Sequence, residues 1–210
     1  MLFRSELRAA CQLWRQQHPE LPLELLDLGC GDLALLPEVY RQLPLDRFSG
    51  LDASPPVLPL ARQALEPAPF PCEWICDDLS RWLLDPTCPP LAIVVSCFAL
   101  HHLDAAGKRG VLAALRQRLQ PGGVVLLADT TRLDGDSHAE HMRRNLGRVK
   151  AWAAVMGAEA SQAIFDHVAC SDRPAELQEL MAQARACGWL PSLLWTDNDR
   201  LEALLRLEPI

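Results

Sequence analysis

The spacing of apolar residues along the first 130 positions alternates between short runs and helical patterns. Phe3, Leu7 and Trp14 recur at helical spacing, which predicts an amphipathic helix over residues 3–17. Apolar runs too short for a helix predict buried strands, and the longer patterns between them predict helices. The predicted strands cover 23–28, 48–51, 72–76, 93–95 with their neighbours and 124–128, and the predicted helices after them cover 33–43, 55–66 and 105–119.

The pattern changes after residue 130. Residues 137–157, more weakly 158–169, and then 173–187 predict helices. Two apolar runs, 190–195 and 201–207, are joined by four polar residues, which predicts a hairpin with one strand antiparallel to the rest. The chain therefore predicts an α/β fold: a seven-stranded, mostly parallel sheet with an antiparallel last strand and helices on both faces.

These elements predict one main domain with two additions. Residues 23–133 and 172–210 together form the main domain. Residues 1–22 are expected to form an N-terminal helix that covers the ligand site. Residues 134–171 interrupt the alternation, and we expect them to form a helical insertion over the carboxyl edge of the sheet, where α/β sheets bind ligands.

Composition and charge restrict the classes of function. The chain has 210 residues, 50% of them hydrophobic, and a formal net charge of −7. Its Lys and Arg residues are scattered, so no nucleic-acid partner is expected. No apolar run is long enough to cross a membrane, and no signal-peptide pattern is visible. The eight cysteines lack a Cys-x-x-Cys pair and are expected to be reduced, which predicts a cytoplasmic protein. The sequence leaves the oligomeric state open.

A glycine loop follows the first predicted strand, at residues 27–31 with the sequence Asp-Leu-Gly-Cys-Gly. Glycines there let the backbone turn sharply and approach a ligand closely. The spacing Gly29-x-Gly31-x-x-Ala34, with Asp52 further on, also fits a dinucleotide-binding loop, so an NAD(P)-dependent oxidoreductase is one hypothesis. Against it, Asp27 would repel a pyrophosphate, whereas the same carboxylate can receive a ligand ammonium.

Three further motifs follow in order along the chain. Asp77-Asp78-Leu79 comes after the third strand, Ser-Cys-Phe-Ala-Leu-His-His-Leu occupies 96–103 after the fourth, and Leu-Gln-Pro-Gly-Gly precedes the fifth at 119–123. Together with the glycine loop they resemble the class I S-adenosylmethionine-dependent methyltransferases, notably their small-molecule branch. The resemblance implies a Rossmann-like fold, S-adenosyl-L-methionine as cofactor, and methyl transfer to a small-molecule acceptor.

The resemblance also implies roles for individual residues. Gly29 and Gly31 would lie under the methionine part of the cofactor, Asp27 near its ammonium and Asp52 on the ribose hydroxyls. One departure is Leu33, which replaces the third glycine of the usual loop. Asp78, with Asp77 as the less favoured alternative, would meet the adenine amine, and Ser96 and Phe98 would border the methionine end. The predicted cofactor-binding residues are Asp27, Gly29, Cys30, Gly31, Asp52, Ala53, Asp77, Asp78, Leu79, Ser96 and Phe98.

Methyl transfer needs alignment and a dry cavity more than a protein nucleophile. A hydroxyl acceptor would gain from a base, and His101 and His102 are the candidate catalytic residues. His138-x-x-His141 is half of a metal site without a third ligand, so no metal is predicted. A non-catalytic S-adenosylmethionine-binding protein is the third hypothesis. Candidate residues for an apolar acceptor pocket are Phe3, Trp14, Met142, Trp152, Met156 and Phe165.

Overall fold

The computed structural model describes residues 2–145, 147, 157, 162, 166 and 168–210. Within these residues the strands are β1 Glu24–Leu28, β2 Arg47–Asp52, β3 Cys72–Cys76, β4 Leu91–Cys97, β5 Leu119–Arg132, β6 Ala175–Glu176, β7 Trp189–Thr196 and β8 Glu202–Pro209. Seven of them form one continuous sheet in the order β3-β2-β1-β4-β5-β8-β7. Strands β1 to β5 pair in parallel.

The last strand of the chain, β8, lies between β5 and β7 and runs antiparallel to both. The prediction of a seven-stranded, mostly parallel sheet with an antiparallel last strand is therefore confirmed. The two-residue strand β6 was not predicted. It pairs in parallel with Thr131 and Arg132, so β5 continues beyond the predicted end at residue 128.

The helices are α1 Leu2–Gln17, α2 Pro37–Arg41, α3 Leu58–Leu65, α4 Leu79–Leu84, α5 Ala105–Arg118 and a last helix, Leu177–Ala186. The helix predicted over 33–43 is shorter in the structure because Leu33 has a φ of +58°, outside the right-handed helical region. Helix α4 was not predicted. Asp78 begins it by accepting hydrogen bonds from the backbone N–H groups of Ser80 and Arg81.

Each face of the sheet buries its own apolar cluster. On one face α1, α2 and α3 pack, and on the other α4, α5 and the last helix. Alternate residues of β5 enter opposite clusters: Val124 and Leu126 join the first, Val125 and Leu127 the second. Side chains of a strand alternate between the two faces of the sheet, and here both faces are covered. Every residue of this part of β5 is therefore apolar, which gives the continuous apolar run in the sequence.

The segment predicted as a helical insertion is described only in part. Residues 138–145 are helical, as predicted for the start of 137–157. Three of the candidate acceptor-pocket residues, Trp152, Met156 and Phe165, lie outside the described residues. No described helix combines the length and apolar character needed to span a membrane.

Helix α1 is expected to depend on Trp14 for its attachment to the sheet. The Trp14 side chain is 1% exposed, and its Nε1 donates a hydrogen bond to the Gly122 carbonyl oxygen at 2.7 Å. Truncating it should remove both the packing and the hydrogen bond, so Trp14→Ala should lower the free energy of unfolding by about 3–5 kcal/mol. Urea denaturation followed by circular dichroism measures this loss.

The neighbouring Leu13 supplies the control, because its side chain is 41% exposed on the same helix. Leu13→Ala should change the free energy of unfolding by less than about 1 kcal/mol. Equal losses in the two variants would show that α1 does not pack through the Trp14 face.

Candidate active site

A cavity of about 440 Å³ lies at the carboxyl ends of β1, β2 and β4. This is the edge of a parallel α/β sheet where ligands bind. The wall combines the glycine loop, the ends of the strands and the start of α4. Its lining residues are Asp27, Gly29, Cys30, Gly31, Asp32, Leu33, Ala34, Leu35, Leu36, Leu51, Asp52, Ala53, Asp78, Leu79, Cys97, Phe98, Ala99, His102 and Leu103.

The turn after β1 requires glycine at two positions, for different reasons. Gly29 has a φ of +77°, and a Cβ on it would lie 2.5 Å from the Cβ of Ala99. The turn therefore brings the loop after β1 against the segment after β4. Gly31 has a φ of +54°, and a Cβ there would meet no protein atom within 4 Å. Because Gly31 lines the cavity, its open side leaves room for a ligand close to the backbone.

Asp52 connects the loop to the end of β2. Its Oδ2 accepts a hydrogen bond from the Gly31 N–H at 2.9 Å, and its Oδ1 accepts one from the Ser54 N–H at 2.8 Å. Each carboxylate oxygen can accept more than one hydrogen bond. Asp52 can therefore hold the loop in place and still receive ligand hydroxyls in the cavity.

Asp27 is buried at the floor of the loop, with 1% of the residue exposed. Its Oδ2 accepts a hydrogen bond from the Tyr40 hydroxyl at 2.7 Å, whereas Oδ1 has no hydrogen-bond partner among the described residues. Burial raises the pKa of the Asp27 carboxyl from 3.8 to about 7; the Tyr40 hydrogen bond opposes this shift, and the charge of Asp52 adds to it. A hydrogen-bond donor on a bound ligand could satisfy this buried Asp27 Oδ1.

The two acids after β3 have different positions. Asp78 lines the cavity beside Leu79 and caps α4, whereas Asp77 pairs with the Arg81 guanidinium, 2.6 Å from its Nε, and is not among the lining residues. Ser96 is likewise outside the lining, because its hydroxyl is buried and donates to the Leu28 carbonyl oxygen at 3.0 Å. The other nine predicted cofactor-binding residues line the cavity together.

Phe98 connects this site to α1. Its φ of +54° is unusual for a residue with a bulky side chain, and its N–H donates to the Ala128 carbonyl oxygen at 2.8 Å. Its ring meets the Phe3 ring edge-on, with the centroids 6.0 Å apart. Phe3 thus brings the start of α1 to the margin of the cavity, and whether α1 covers a bound cofactor stays a prediction.

The two candidate catalytic histidines have different environments. His102 lines the cavity and is partly exposed, whereas His101 is buried with its Nδ1 2.6 Å from the Asp129 Oδ1. Burial alone would lower the pKa of His101, but the hydrogen bond to Asp129 and the charges of Asp129 and Asp172 raise it overall. Only His102 therefore stands where it can meet a ligand in this cavity.

Two acids beside the histidine pair, Asp129 and Asp172, were not predicted from the sequence as site residues. The Asp172 Oδ1 lies 3.2 Å from the His102 Nδ1, and the three groups His101, His102 and Asp172 bring ligand-type atoms within 4.8 Å of one another. Asp129 ends the apolar part of β5, a signal that could have found it. Asp172 follows the insertion, and its local sequence carries no comparable signal.

The two histidines of the second pair, His138 and His141, have different environments on the helical residues 138–145. His138 is exposed, whereas His141 is buried, and desolvation, followed by the charges of His138 and Arg132, lowers the pKa of His141 to about 4. His141 is therefore neutral at pH 7.

The fold and the cavity together define an α/β protein with a ligand-sized cavity at the carboxyl edge of its sheet. A family model described as a methyltransferase domain matches residues 25–123. Trans-aconitate 2-methyltransferase from Acidovorax sp. (strain JS42) is 32% identical over 182 residues, which cover 80% of this chain and 66% of that protein. The chain belongs to the class I S-adenosylmethionine-dependent methyltransferase family.

Solved structures show the same fold at low identity. DesVI from Streptomyces venezuelae has a TM-score of 0.61 and 18% identity, over 99% of this chain and 92% of that one. The DhpI-SAH complex has a TM-score of 0.58 and 19% identity, over 96% of this chain and 83% of that one. The chain spans slightly less than two thirds of the length of the trans-aconitate methyltransferase that it matches.

The contact between Gly29 and Ala99 gives a direct test of the loop geometry. Gly29→Ala adds a Cβ at 2.5 Å from the Ala99 Cβ in a backbone conformation that alanine disfavours, whereas Gly31→Ala adds only the backbone strain. We expect Gly29→Ala to lower the free energy of unfolding by roughly 1–3 kcal/mol more than Gly31→Ala does. Denaturant titration of both variants measures the difference.

A double variant separates the steric clash from backbone strain. Ala99→Gly removes the atom that the new Cβ would meet, so Gly29→Ala combined with Ala99→Gly should recover most of the extra loss. Purely additive effects of the two substitutions would mean that the loops do not touch at this point.

Proposed function

We propose that this protein transfers a methyl group from S-adenosyl-L-methionine to a small-molecule acceptor by in-line displacement. The observation that carries the proposal is the unsatisfied Oδ1 of Asp27, buried in the floor of a glycine-lined cavity. The ammonium of the cofactor's methionine part is a donor that matches this oxygen in charge. Family membership supports the same cofactor and weighs against the oxidoreductase hypothesis.

The residues around the cavity fit the other parts of the cofactor. The open side of Gly31 and the close approach at Gly29 give the methionine part a backbone cradle. Asp52 is expected to receive the ribose hydroxyls, with Ala53 beside it. Asp78 rather than Asp77 is expected to meet the adenine amine, because Asp78 lines the cavity.

The bound cofactor would supply a methyl group on a positively charged sulfur. The contribution of the chain is to align the two reactants and to exclude water. The apolar part of the wall, which includes Leu33, Leu36, Phe98 and Leu103, serves the second purpose. Of the two candidate histidines, we propose His102 as the one that takes a proton from a hydroxyl acceptor, and we propose a structural role for His101.

The acceptor class decides whether that base is needed. The relative from Acidovorax is named for trans-aconitate, a carboxylic acid, and a carboxylate acceptor carries no proton to remove. We therefore propose small carboxylic acids as the first acceptors to examine and small hydroxyl compounds as the second. With a carboxylate acceptor His102→Gln should retain turnover, whereas with a hydroxyl acceptor it should lose about 10²–10⁴-fold.

Further parts of the proposal concern location and architecture. All eight cysteines are free thiols in the structure, which supports a reducing compartment, and we propose the cytoplasm. We also propose that residues 134–171 cap the acceptor side of the cavity and that α1 covers the cofactor.

Cofactor binding should depend on pH through Asp27. Its carboxyl has a pKa of about 7 without ligand, so the ionised form that attracts an ammonium grows from a small fraction at pH 6 to a large one at pH 8. The affinity for S-adenosylhomocysteine should therefore be about tenfold higher at pH 8 than at pH 6. Isothermal titration calorimetry at both pH values measures this ratio.

Two variants identify the group responsible. Asp27→Asn should weaken binding and abolish the pH dependence, whereas Asp32→Asn, on an exposed residue of the same loop, should preserve it. The same linkage makes the ligand-free protein lose stability as pH rises from about 4 to 7, since the native state keeps a proton that the unfolded state releases. If the affinity of the wild-type protein for S-adenosylhomocysteine does not change with pH, Asp27 does not have the proposed role.

The catalytic part of the proposal requires a turnover measurement. Incubation with methyl-labelled S-adenosylmethionine and a panel of small carboxylic acids and hydroxyl compounds should transfer label to at least one of them. Binding of S-adenosylhomocysteine without label transfer to any cellular metabolite would favour the non-catalytic binding protein. Binding of NADH in place of S-adenosylhomocysteine would contradict the proposal.

A further inference from the structure

We propose that Asp172 is a positioning residue that holds His102 in the tautomer with its proton on Nδ1, so that Nε2 is the proton acceptor in the cavity. This inference rests on the proposed function, because it concerns the group that would accept a proton from a hydroxyl acceptor. The arrangement is a chain of four groups: Asp129, His101, Asp172 and His102.

The distances define the order of these groups. His101 Nδ1 lies 2.6 Å from the Asp129 Oδ1, and His101 Nε2 lies 3.6 Å from the Asp172 Oδ1. The same Asp172 oxygen lies 3.2 Å from the His102 Nδ1. Each imidazole ring thus has one nitrogen within 3.6 Å of the same carboxylate oxygen, and the ring centroids are 4.1 Å apart.

Backbone contacts hold Asp172 beside the histidines although it lies far along the chain. The Arg173 N–H donates to the His101 carbonyl oxygen at 2.5 Å. The buried Lys108 ammonium donates both to the Leu103 carbonyl oxygen and to the Arg173 carbonyl oxygen, the latter at 2.6 Å. These contacts join Arg173, which follows Asp172, to His101 and Leu103, which flank His102. The backbone thus keeps the Asp172 and His102 side chains near each other.

Charged groups surround the two buried carboxyl groups of the cluster. Asp172 is 5% exposed and Asp129 is 3% exposed, and a buried carboxylate needs compensating positive charge or hydrogen bonds. His101 lies between these two carboxylates, which favour its protonated form, and Lys108 lies close by. In the proposed arrangement an Asp172 oxygen accepts a hydrogen bond from the His102 Nδ1–H.

The consequence concerns the two nitrogens of His102. The tautomer of a neutral imidazole is set by the hydrogen bond that one of its nitrogens makes. With Nδ1–H directed to Asp172, the lone pair is on Nε2, across the ring from the carboxylate. A hydroxyl proton of the acceptor would move to Nε2 and form an imidazolium, whose Nδ1–H remains directed to the Asp172 carboxyl group. The proton can then leave to water, because 43% of the His102 side chain is exposed.

The test is the tautomer of His102, observed by NMR of protein labelled with ¹⁵N at histidine, in the complex with S-adenosylhomocysteine. In the wild-type protein neutral His102 should carry its proton mainly on Nδ1. Loss of a charge-assisted hydrogen bond in Asp172→Ala should shift the tautomer ratio about tenfold toward the form protonated on Nε2. Glu73→Ala is the control, because Glu73 is an exposed acid on the edge strand β3 and is paired with Arg47, and it should leave the ratio unchanged.

Several outcomes would contradict the positioning role of Asp172. If wild-type His102 carries its proton on Nε2, or if Asp172→Ala leaves the ratio unchanged, the proposal is wrong. If one equivalent of Zn²⁺ binds tightly and the binding needs Asp172, the three groups form a metal site and the positioning role is also wrong. The wild-type ratio is informative even if Asp172→Ala does not fold. Affinity for S-adenosylhomocysteine separates this proposal from the proposed function, since Asp172→Ala should leave that affinity within about threefold of the wild type.

Discussion

The close approach of two backbone segments at Gly29 is the constraint on which the rest of the site depends. Gly29 takes a left-handed conformation, its N–H donates to the Leu51 carbonyl oxygen at 2.8 Å, and there is no room for a Cβ beside Ala99. The turn thereby sets the distance between the loop that would hold the cofactor and the segment that carries Phe98 and His102. One contact would therefore position both the proposed cofactor loop and the proposed base, so a change at Gly29 would disturb both.

The second organising feature is a set of buried charged groups beside the apolar core. Asp27, Lys108, Asp129 and Asp172 are each at most 5% exposed. Burying such groups costs free energy unless they are paired or hydrogen-bonded. Lys108 has two carbonyl partners and Asp129 has His101 and the Thr130 N–H, whereas one oxygen of Asp27 has no described partner. Asp27 lines the cavity, where a ligand could supply the missing donor.

Sequence patterns were most informative where structure is local. The strand and helix periods predicted the sheet and its antiparallel last strand, because each element buries a face that repeats along its own residues. They were less informative at the ends of elements. Helix α2 begins later than predicted because Leu33 has a positive φ, and helix α4, which follows Asp78, is too short to show a helical pattern in the sequence. The family resemblance favoured Asp78 over Asp77, although both acids directly follow β3.

The sequence by itself determined the glycine loop, the order of motifs and hence the family, because these depend on residues close together along the chain. Only the tertiary structure decided which of the two histidines faces the cavity: His102 and not His101. It also brought Asp172 to His102, through contacts of Lys108 and Arg173 that join segments far apart in sequence. The physical reason is that a side chain's role depends on what is packed against it, and packing between distant segments leaves no periodic trace in either one.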